Sequence, residues 1–417
     1  MNRAPELLAP AGTLRNMRYA LAYGADAVYA GLPRYSLRVR NNDFLHANLA
    51  TGIQEAHALG RRFYVAVNAM PHDAKLATFL DDLRPVVAMG PDAFIMADPG
   101  LILLVRETWP ELPIHLSVQA NTMNSASVRF WQRQGISRVI LSRELSLDQI
   151  ETIRQAVPEM ELEVFVHGAL CIAYSGRCLL SGYFNHRDAN QGTCTNACRW
   201  SYSVQGPSRH PQADQVWYLE ESRRPGELMP IEEDEQGTYI LNSRDLRAVE
   251  HVHRLVAMGI DCLKIEGRTK SHYYVAHTTR VYRRAIDDAL AGRPFEPALL
   301  DELEELANRG YTAGFLQRHQ NAELQNYQEG VSRSERARFV GEVLEGGDGW
   351  GLVTVKNRFG RGDRLVLLTP ETRHEFRLKA MEDLDGRPLE TAPGSGWRVR
   401  IPLPVAAHPW GLLSRLE

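Results

Sequence analysis

Four of the five cysteines fall in one short stretch of the chain, and their thiols are the side chains best suited to bind a metal centre. They are Cys171, Cys178, Cys194 and Cys198, separated by six, fifteen and three residues. An apolar run at residues 162–166 precedes them and predicts a buried strand. The first two thiols are therefore expected in a tight loop just past the end of that strand.

Several kinds of site could use these thiols. Their clustering argues against scattered free thiols, and nothing in the sequence indicates an oxidising compartment in which disulfides form. Structural zinc sites usually pair their cysteines at separations of about two to four residues, which the six-residue gap fits poorly. Iron–sulfur clusters accept looser spacing and take four thiolates. Spacing alone favours an iron–sulfur centre and leaves zinc open.

The elements that would position this stretch follow from an alternation of apolar and amphipathic segments. Eight apolar runs lie at residues 7–9, 27–30, 63–67, 93–97, 114–118, 138–141, 162–166 and 262–265. Helices are predicted between them, for example at residues 14–23, 74–89, 146–157 and 244–258. Eight strand–helix units predict an α/β fold, a (β/α)8 TIM-like barrel. An open doubly wound sheet is the alternative, disfavoured because no G-x-G-x-x-G follows the first strand.

Polar residues stand directly after the predicted strands, and in a barrel these positions converge on one face. The members of this set are Pro10, Gly12, Gly31, Asn68, Asp98, Gln119, Asn121, Arg143, Glu144, His167, Glu266 and Arg268. They predict a polar, mixed-charge mouth, with the cysteine stretch (residues 163–198) forming the loop after the seventh strand. For any single member, the alternative role is a capping or loop hydrogen bond.

Three cations are expected near this mouth, where they could bind an anion. Arg143 and Arg268 follow the sixth and eighth strands, and Lys264 lies within the last strand. Guanidinium groups bind carboxylates through two parallel hydrogen bonds. Glu144 and Glu266 are close in sequence and could hold the two arginines in place. The alternative is that these pairs only tie the rim of the barrel together.

Candidate acids and bases come from the same set. His167 is a candidate proton carrier, because the unperturbed pKa of histidine lies near neutrality. Glu144 and Glu266 are the accompanying candidate catalytic carboxylates.

The loop after the second strand, residues 32–44, interleaves basic and aromatic side chains. It carries Arg34, Arg38 and Arg40 together with Tyr35. Such a mixture suits a phosphate backbone with an unstacked base and predicts an RNA contact. A solvated loop with structural arginines is the alternative.

The helical pattern ends near residue 336. Beyond it, alternating segments at residues 339–344, 351–355, 364–368, 375–378, 397–401 and 411–413 lie between Gly-rich turns. They predict a small C-terminal β-barrel domain over residues 336–417. Residues 1–335 are assigned to the TIM-like barrel, with an irregular insertion at residues 201–237.

Composition restricts the functional class. The net charge is −3 and the pI is about 6.6, which excludes a strongly basic nucleic-acid coat but not a local basic patch. No apolar run is long enough for a signal peptide or a membrane span. The chain is therefore expected in the cytoplasm, without a membrane, where thiols stay reduced.

At the cysteine stretch the sequence resembles a known family. The run Glu163-x-Phe165-x-x-Gly168-Ala-Leu-Cys171-x4-Gly176-x-Cys178-x-Leu-Ser181 is similar to the signature of the collagenase-like peptidases of unassigned catalytic type. The likeness covers nearly the whole chain, from residues 6–12 through residues 263–268 to the C-terminal segment. Several relatives hydroxylate RNA bases or a quinone ring and carry a [4Fe-4S] cluster on four cysteines. The resemblance implies the same cluster on Cys171, Cys178, Cys194 and Cys198.

The resemblance also implies a reaction. It is the hydroxylation of the wobble uridine of certain tRNAs to 5-hydroxyuridine without molecular oxygen, with prephenate as hydroxyl source or required metabolite. A peptidase and an RNA-binding protein with a structural metal are the alternatives. The motifs G-x-S-x-G, H-E-x-x-H and the P-loop are absent from the sequence.

The metal assignment separates the fifth cysteine from the other four. Cys262 opens an apolar strand, where a small buried thiol is expected rather than a ligand. Single Cys→Ser variants at positions 171, 178, 194 and 198 should each lose iron, measured by elemental analysis of the purified protein. Cys262→Ser should keep it, and iron loss from that variant would overturn the assignment.

Overall fold

The computed structural model describes residues 4–36, 43–170, 244–317, 334, 336–347 and 349–417. For three further strands, β8 (Trp217–Glu220), β9 (Leu228–Asp234) and β10 (Gly237–Tyr239), it describes the backbone alone. The four clustered cysteines and the arginines at positions 38 and 40 lie outside the described residues, as does most of the predicted insertion.

Eight parallel strands close into a barrel, which confirms the predicted fold and excludes the open sheet. They are β1 (Glu6–Pro10), β2 (Ala27–Gly31), β3 (Arg62–Val67), β4 (Ala93–Met96), β5 (Ile114–Leu116), β6 (Arg138–Ile140), β7 (Glu161–Ala169) and β12 (Cys262–Ile265). The order around the ring is β12-β1-β2-β3-β4-β5-β6-β7, and a parallel pairing of β7 with β12 completes it.

Helices surround the barrel, and several begin at side-chain caps. They are α1 (Leu14–Ala22), α2 (His46–Ala58), α3 (Phe79–Ala88), α4 (Pro99–Thr108), α5 (Ser125–Arg133), α6 (Leu147–Ala156), α7 (Val252–Ala257), α8 (His272–Leu290) and α9 (Ala298–Glu304). Ser146 caps α6 by a reciprocal capping box with Gln149, and Ser271 caps α8. These caps satisfy backbone N–H groups that the helix cannot satisfy itself. Within the described chain, no helix is long and apolar enough to cross a membrane.

The prediction of a helix over residues 244–258 is wrong in its first half. Asp245–Arg247 forms strand β11, which pairs antiparallel with the end of β7 and parallel with β13 (Tyr311–Thr312). Asp245 is buried in an ion pair with Arg309. The long strand β7 extends past its neighbour β12, so its backbone groups need another partner there.

The barrel interior contains charged side chains where such barrels usually hold branched apolar ones. Arg138 is 2% exposed and Glu163 is fully buried. The Arg138 guanidinium lies 2.7 Å from Glu6, 2.9 Å from Glu161 and 3.4 Å from Glu163. A buried charge without a partner is costly. Each of these carboxylates is therefore stabilised by Arg138 or by another cation close to it.

A second cation, Lys264, balances the charge of Glu163 one layer nearer the carboxyl ends of the strands. The Lys264 ammonium donates to Glu163 at 2.7 Å, and both side chains are almost fully buried. Glu163 therefore lies between two cations, Arg138 below and Lys264 above. The ion pairs continue from the bottom of the barrel to the layer beneath its mouth.

The C-terminal segment forms an antiparallel β domain, as predicted. Its strands are β14 (Ala337–Gly347), β15 (Trp350–Val355), β16 (Phe359–Gly360), β17 (Arg364–Leu368), β18 (Arg373–Arg377), β19 (Thr391–Ala392), β20 (Arg398–Pro402) and β21 (Leu412–Leu416). Six form one sheet in the order β18-β17-β21-β14-β15-β20, and β16 pairs with β19. Among the described residues the sheet has two ends and does not close into the predicted barrel.

This domain packs on α1 and α8 of the barrel. The Tyr23 hydroxyl lies 3.0 Å and 2.7 Å from the carbonyl oxygens of Leu368 and Trp410. The ring of Tyr273 stacks on Phe339 with centroids 4.7 Å apart. These contacts combine hydrogen bonds with aromatic stacking and hold the domain against the helices outside the barrel.

Removal of the central cation should destabilise the fold strongly. Arg138→Met leaves Glu6 and Glu163 short of positive charge, and we expect it to lower the free energy of unfolding by about 3–5 kcal/mol, measured by urea unfolding at pH 7. Arg254→Met is the control, because exposed Arg254 also pairs with two carboxylates and should cost less than about 1 kcal/mol. Equal losses would contradict this account of the interior.

Candidate active site at the barrel mouth

Three cations surround two aromatic rings at the carboxyl end of the barrel. The Arg143 guanidinium lies 3.9 Å from the ring centroid of Phe165. The Lys264 ammonium lies 4.4 Å from the centroid of Tyr29 and 5.3 Å from that of Phe165, and the Arg268 guanidinium 5.9 Å from Tyr29. Cations at these distances are attracted to the ring faces. The structure thus brings together the three predicted anion-binding residues.

Arg268 occupies space that a glycine leaves free. It is 8% exposed, and its Nη1 donates to the Ser36 hydroxyl at 2.8 Å. A β-carbon on Gly31 would meet that same guanidinium nitrogen and the Ser36 hydroxyl. Gly31, the last residue of β2, is therefore needed so that the arginine can lie against the backbone.

The carboxylate partners differ from those predicted. Arg143 pairs at 3.3 Å with Glu266, two strands along the ring, rather than with its sequence neighbour Glu144. Glu144 instead accepts a hydrogen bond from Ser142. The rim is thus tied between the loops after β6 and β12, which positions Arg143 over Phe165.

Lys264 is not a free charge, because Glu163 already holds it from below. Its ammonium therefore adds a positive field at the floor of the mouth while its position is fixed by the interior. The sequence indicated Lys264 but gave no sign of the aromatic rings, because Tyr29 and Phe165 look like ordinary strand residues.

The prediction that His167 carries protons in the mouth is wrong. The side chain is 1% exposed, and its Nδ1 lies 3.3 Å from the Tyr282 hydroxyl. Its ring is enclosed by Tyr274, Tyr282 and Tyr311, with centroids 5.4–5.8 Å away. Burial lowers the pKa of His167 to about 3, so the ring stays neutral at neutral pH.

The backbone pairing of β7 explains why the His167 side chain points away from the mouth. The register between β7 and β12 shifts after Lys264, so that Ile265 pairs with His167 instead of Val166. Gly168 then adopts φ +108°, and a β-carbon there would meet the backbone of Glu266. The sequence predicts His167 at the mouth because it follows the apolar run 162–166, but β7 continues to Ala169 and the shift turns the His167 ring away.

Amide and hydroxyl groups follow the strands on the opposite side of the mouth. Asn68 donates from Nδ2 to Gln119 Oε1 at 2.7 Å, and the Ser117 hydroxyl donates to the same oxygen at 2.6 Å. Asn121 donates to the Gln119 carbonyl at 2.8 Å from a left-handed backbone, φ +50°. The sequence indicated Asn68, Gln119 and Asn121 but not Ser117. Asp98 has the structural role given above as the alternative: it caps α4 by accepting a hydrogen bond from the Leu101 N–H.

The predicted RNA loop is described only at its two ends. Tyr35 is fully buried, packs edge-on against Phe79 and donates to Asp82 at 2.6 Å. Its ring therefore offers no face to a base, which corrects that part of the prediction. Arg34 also binds Asp82, at 2.6 Å, with its side chain 49% exposed.

The metal prediction concerns residues beyond the described part of β7. Cys171 is the second residue in sequence after Ala169, where that strand ends. The described residues contain no group of three or more metal-binding side chains. Cys262 is fully buried, and burial raises the pKa of its thiol, which does not suit a ligand. A donor set of four thiols fits an iron–sulfur cluster.

Two family models together cover most of the chain. The model for peptidase family U32 matches residues 12–326, and the model for the U32 C-terminal domain matches residues 335–414. The chain belongs to peptidase family U32. This confirms the resemblance to collagenase-like peptidases inferred from the cysteine stretch.

Relatives in the family carry names of two different activities. The tRNA hydroxylation protein P of Escherichia coli is 60% identical over 425 aligned residues, covering 96% of this chain and 94% of the relative. Its counterpart in Haemophilus influenzae is 55% identical, covering 96% and 93%. A collagenase of Porphyromonas gingivalis is 27% identical, covering 99% and 98%.

The buried His167 should make stability depend on pH. The unfolded chain binds a proton near pH 6.5 and the folded ring only near pH 3, so its contribution is complete above pH 6.5 and is lost as the pH falls towards 3. His167→Gln should reduce the slope of unfolding free energy between pH 6 and 4 by about 1.4 kcal/mol per pH unit.

Urea unfolding across this pH range measures that slope. His277, whose pKa burial also lowers to about 3, provides an internal comparison, and the double variant should lose about twice the slope. An unchanged slope in His167→Gln would show that the ring is not buried neutral.

Proposed function

We propose that this chain is a tRNA-modifying hydroxylase. The observation that carries the proposal is the 60% identity, over 96% of the chain, to a tRNA hydroxylation protein P. A shared barrel would not suffice, because unrelated activities use this fold. Identity at this level across nearly the whole of both chains supports a shared activity, with tRNA as the partner.

The proposed reaction converts the wobble uridine to 5-hydroxyuridine without molecular oxygen. Replacing the hydrogen on C5 by a hydroxyl group adds one oxygen atom and removes two electrons from the base. An oxygen donor must therefore be reduced by two electrons. We propose prephenate as the hydroxyl source or required metabolite, and a cytoplasmic location where it meets tRNA. As the source, prephenate would lose the C–O bond of its ring alcohol, and that carbon would take up the hydrogen lost from C5, which is the required two-electron reduction.

The mouth of the barrel supports a ligand of this kind. Prephenate has two carboxylates on a ring, and Arg143 and Arg268 present planar guanidinium groups suited to carboxylates. Phe165 and Tyr29 provide apolar faces beside these cations. Lys264 adds positive charge from below, and Glu266 holds Arg143 until an anion competes for it.

The proposed cofactor is a [4Fe-4S] cluster on Cys171, Cys178, Cys194 and Cys198. When bound, such a cluster supplies electron transfer. Glu144 and Glu266 are the carboxylates of the mouth that could hold or move a proton during the reaction, now that His167 is excluded.

The RNA is proposed to contact the loop after β2 through Arg34, Arg38 and Arg40. Arg34 is half exposed although paired with Asp82, so its guanidinium remains accessible to a phosphate. Phosphate contacts of this kind position a nucleic acid without selecting its sequence.

A peptidase is the second candidate, favoured by the collagenase relative. A cysteine peptidase needs a base beside its thiol. The nearest histidine before Cys171 in the sequence is His167. Its ring is enclosed by tyrosines, and burial lowers its pKa to about 3. This arrangement favours the hydroxylase.

Nucleoside analysis tests the proposed function. A deletion strain should lack 5-hydroxyuridine and its derivatives in digested tRNA, measured by mass spectrometry, and this gene should restore them. Restoration by a gene carrying the Cys171→Ser change would remove the proposed role of the cluster, and unchanged nucleosides in the deletion strain would refute the function.

The anion site gives a second expectation. Arg143→Lys and Arg268→Lys keep the charge but lose the planar fork, so each should raise the prephenate concentration for half-maximal hydroxylation by about tenfold or more. Arg154→Lys is the matched control, because Arg154 is equally buried but pairs with Asp261, whose backbone adjoins the amino-terminal ends of the strands. Equal prephenate requirements in all three variants would place the anion elsewhere.

A further inference from the structure

The carboxamide of Gln119 is fixed in one orientation at the barrel mouth. Its Oε1 accepts hydrogen bonds from Asn68 Nδ2 at 2.7 Å and from the Ser117 hydroxyl at 2.6 Å. An amide oxygen has two lone pairs, and both are now used. The amide Nε2 must therefore point away from these partners.

That Nε2 group carries two N–H donors and donates to no side chain or carbonyl of the described residues. Gln119 is 8% exposed, so only a small part of its side chain reaches solvent. Its backbone is also held, because Asn121 donates to the Gln119 carbonyl and Ser117 N–H donates to Met96 at 2.7 Å. The result is a rigid, neutral, donor-only group.

The ring of strands shows what this group faces. In the order β12-β1-β2-β3-β4-β5-β6-β7, strand β4 lies opposite β12. Asn68 and Gln119 follow β3 and β5, on either side of β4. They therefore stand across the mouth from Glu266 and Arg268, which follow β12. One wall carries charges for an anion, and the other carries neutral donors.

We propose that the Gln119 Nε2 amide binds the C4 carbonyl oxygen of the target pyrimidine and so distinguishes uracil from cytosine. This inference rests on the proposed function, because it assumes that an RNA base enters the mouth. Uracil presents a carbonyl at C4, whereas cytosine presents an amino group there. With cytosine, the amino group and the Gln119 amide would face each other as two donors and both stay unsatisfied. This costs more free energy than the loss of one hydrogen bond. Asn68 and Ser117 are positioning residues that prevent the amide from flipping.

Gln119→Glu tests this with little change in shape. One carboxylate oxygen can still accept from Asn68 and Ser117, while the other replaces the outward donor by an acceptor. The affinities of the full-length protein for two anticodon stem-loop RNAs, with uridine or cytidine at the wobble position, are measured without turnover. Wild type should prefer uridine by about 5- to 150-fold, and Gln119→Glu should abolish or invert this ratio.

Two further variants complete the experiment. Gln149→Glu is the control, because it makes the same replacement in the capping box of α6 and should keep the wild-type ratio. Asn68→Ala frees the amide to rotate, so it should weaken the uridine preference without inverting it.

The outcomes are distinct from those that test the reaction. Equal affinity of wild type for the two RNAs, or an unchanged ratio in Gln119→Glu, overturns the recognition role even if wild type hydroxylates tRNA. A Gln119→Glu variant that changes only the prephenate requirement would assign the amide to the cosubstrate and likewise overturn it. Absence of hydroxylation by wild type would refute the proposed function, while the binding ratio still decides the role of Gln119.

Discussion

The buried carboxylate of Glu163 is the constraint on which the rest of the barrel depends. It has no exposure to solvent and lies between the Arg138 guanidinium and the Lys264 ammonium. Lys264 depends on it most, because an uncompensated charge in the interior is far more costly than a lost hydrogen bond, whereas Arg138 also pairs with Glu6 and Glu161. Since Lys264 also lies beneath Tyr29 and Phe165, the same ion pair that stabilises the interior sets the charge at the floor of the mouth.

Above that floor, the two sides of the mouth differ in chemistry. Arg143, Arg268 and their carboxylate Glu266 come from the loops after β6 and β12, and they suit an anionic ligand. Gln119 and Asn68 come from the loops after β5 and β3 and offer neutral hydrogen-bond donors. Such a division suits the proposed reaction, in which a small dicarboxylate and a neutral base would each be bound by a different side of the mouth.

The sequence was sufficient to predict the barrel and most of the residues at its mouth, because strand ends in this fold converge whatever their side chains. It could not predict the carboxylate partners. Arg143 pairs with Glu266 rather than Glu144, since pairing between loops depends on which strands are neighbours in the ring. It also failed at His167, where a one-residue register shift and the positive φ of Gly168 turn the ring away from the mouth. The helix predicted from residue 244 is a strand in part, because the free edge of β7 required a partner there.

The central claim is that the mouth is a binding site for a dicarboxylate with its cations on one wall. A crystal structure of the full-length protein with bound prephenate tests this most directly. The account predicts one carboxylate within hydrogen-bonding distance of Arg143, the other near Arg268, and the ring of the ligand against Phe165 or Tyr29. A ligand bound with its carboxylates away from both arginines would contradict it.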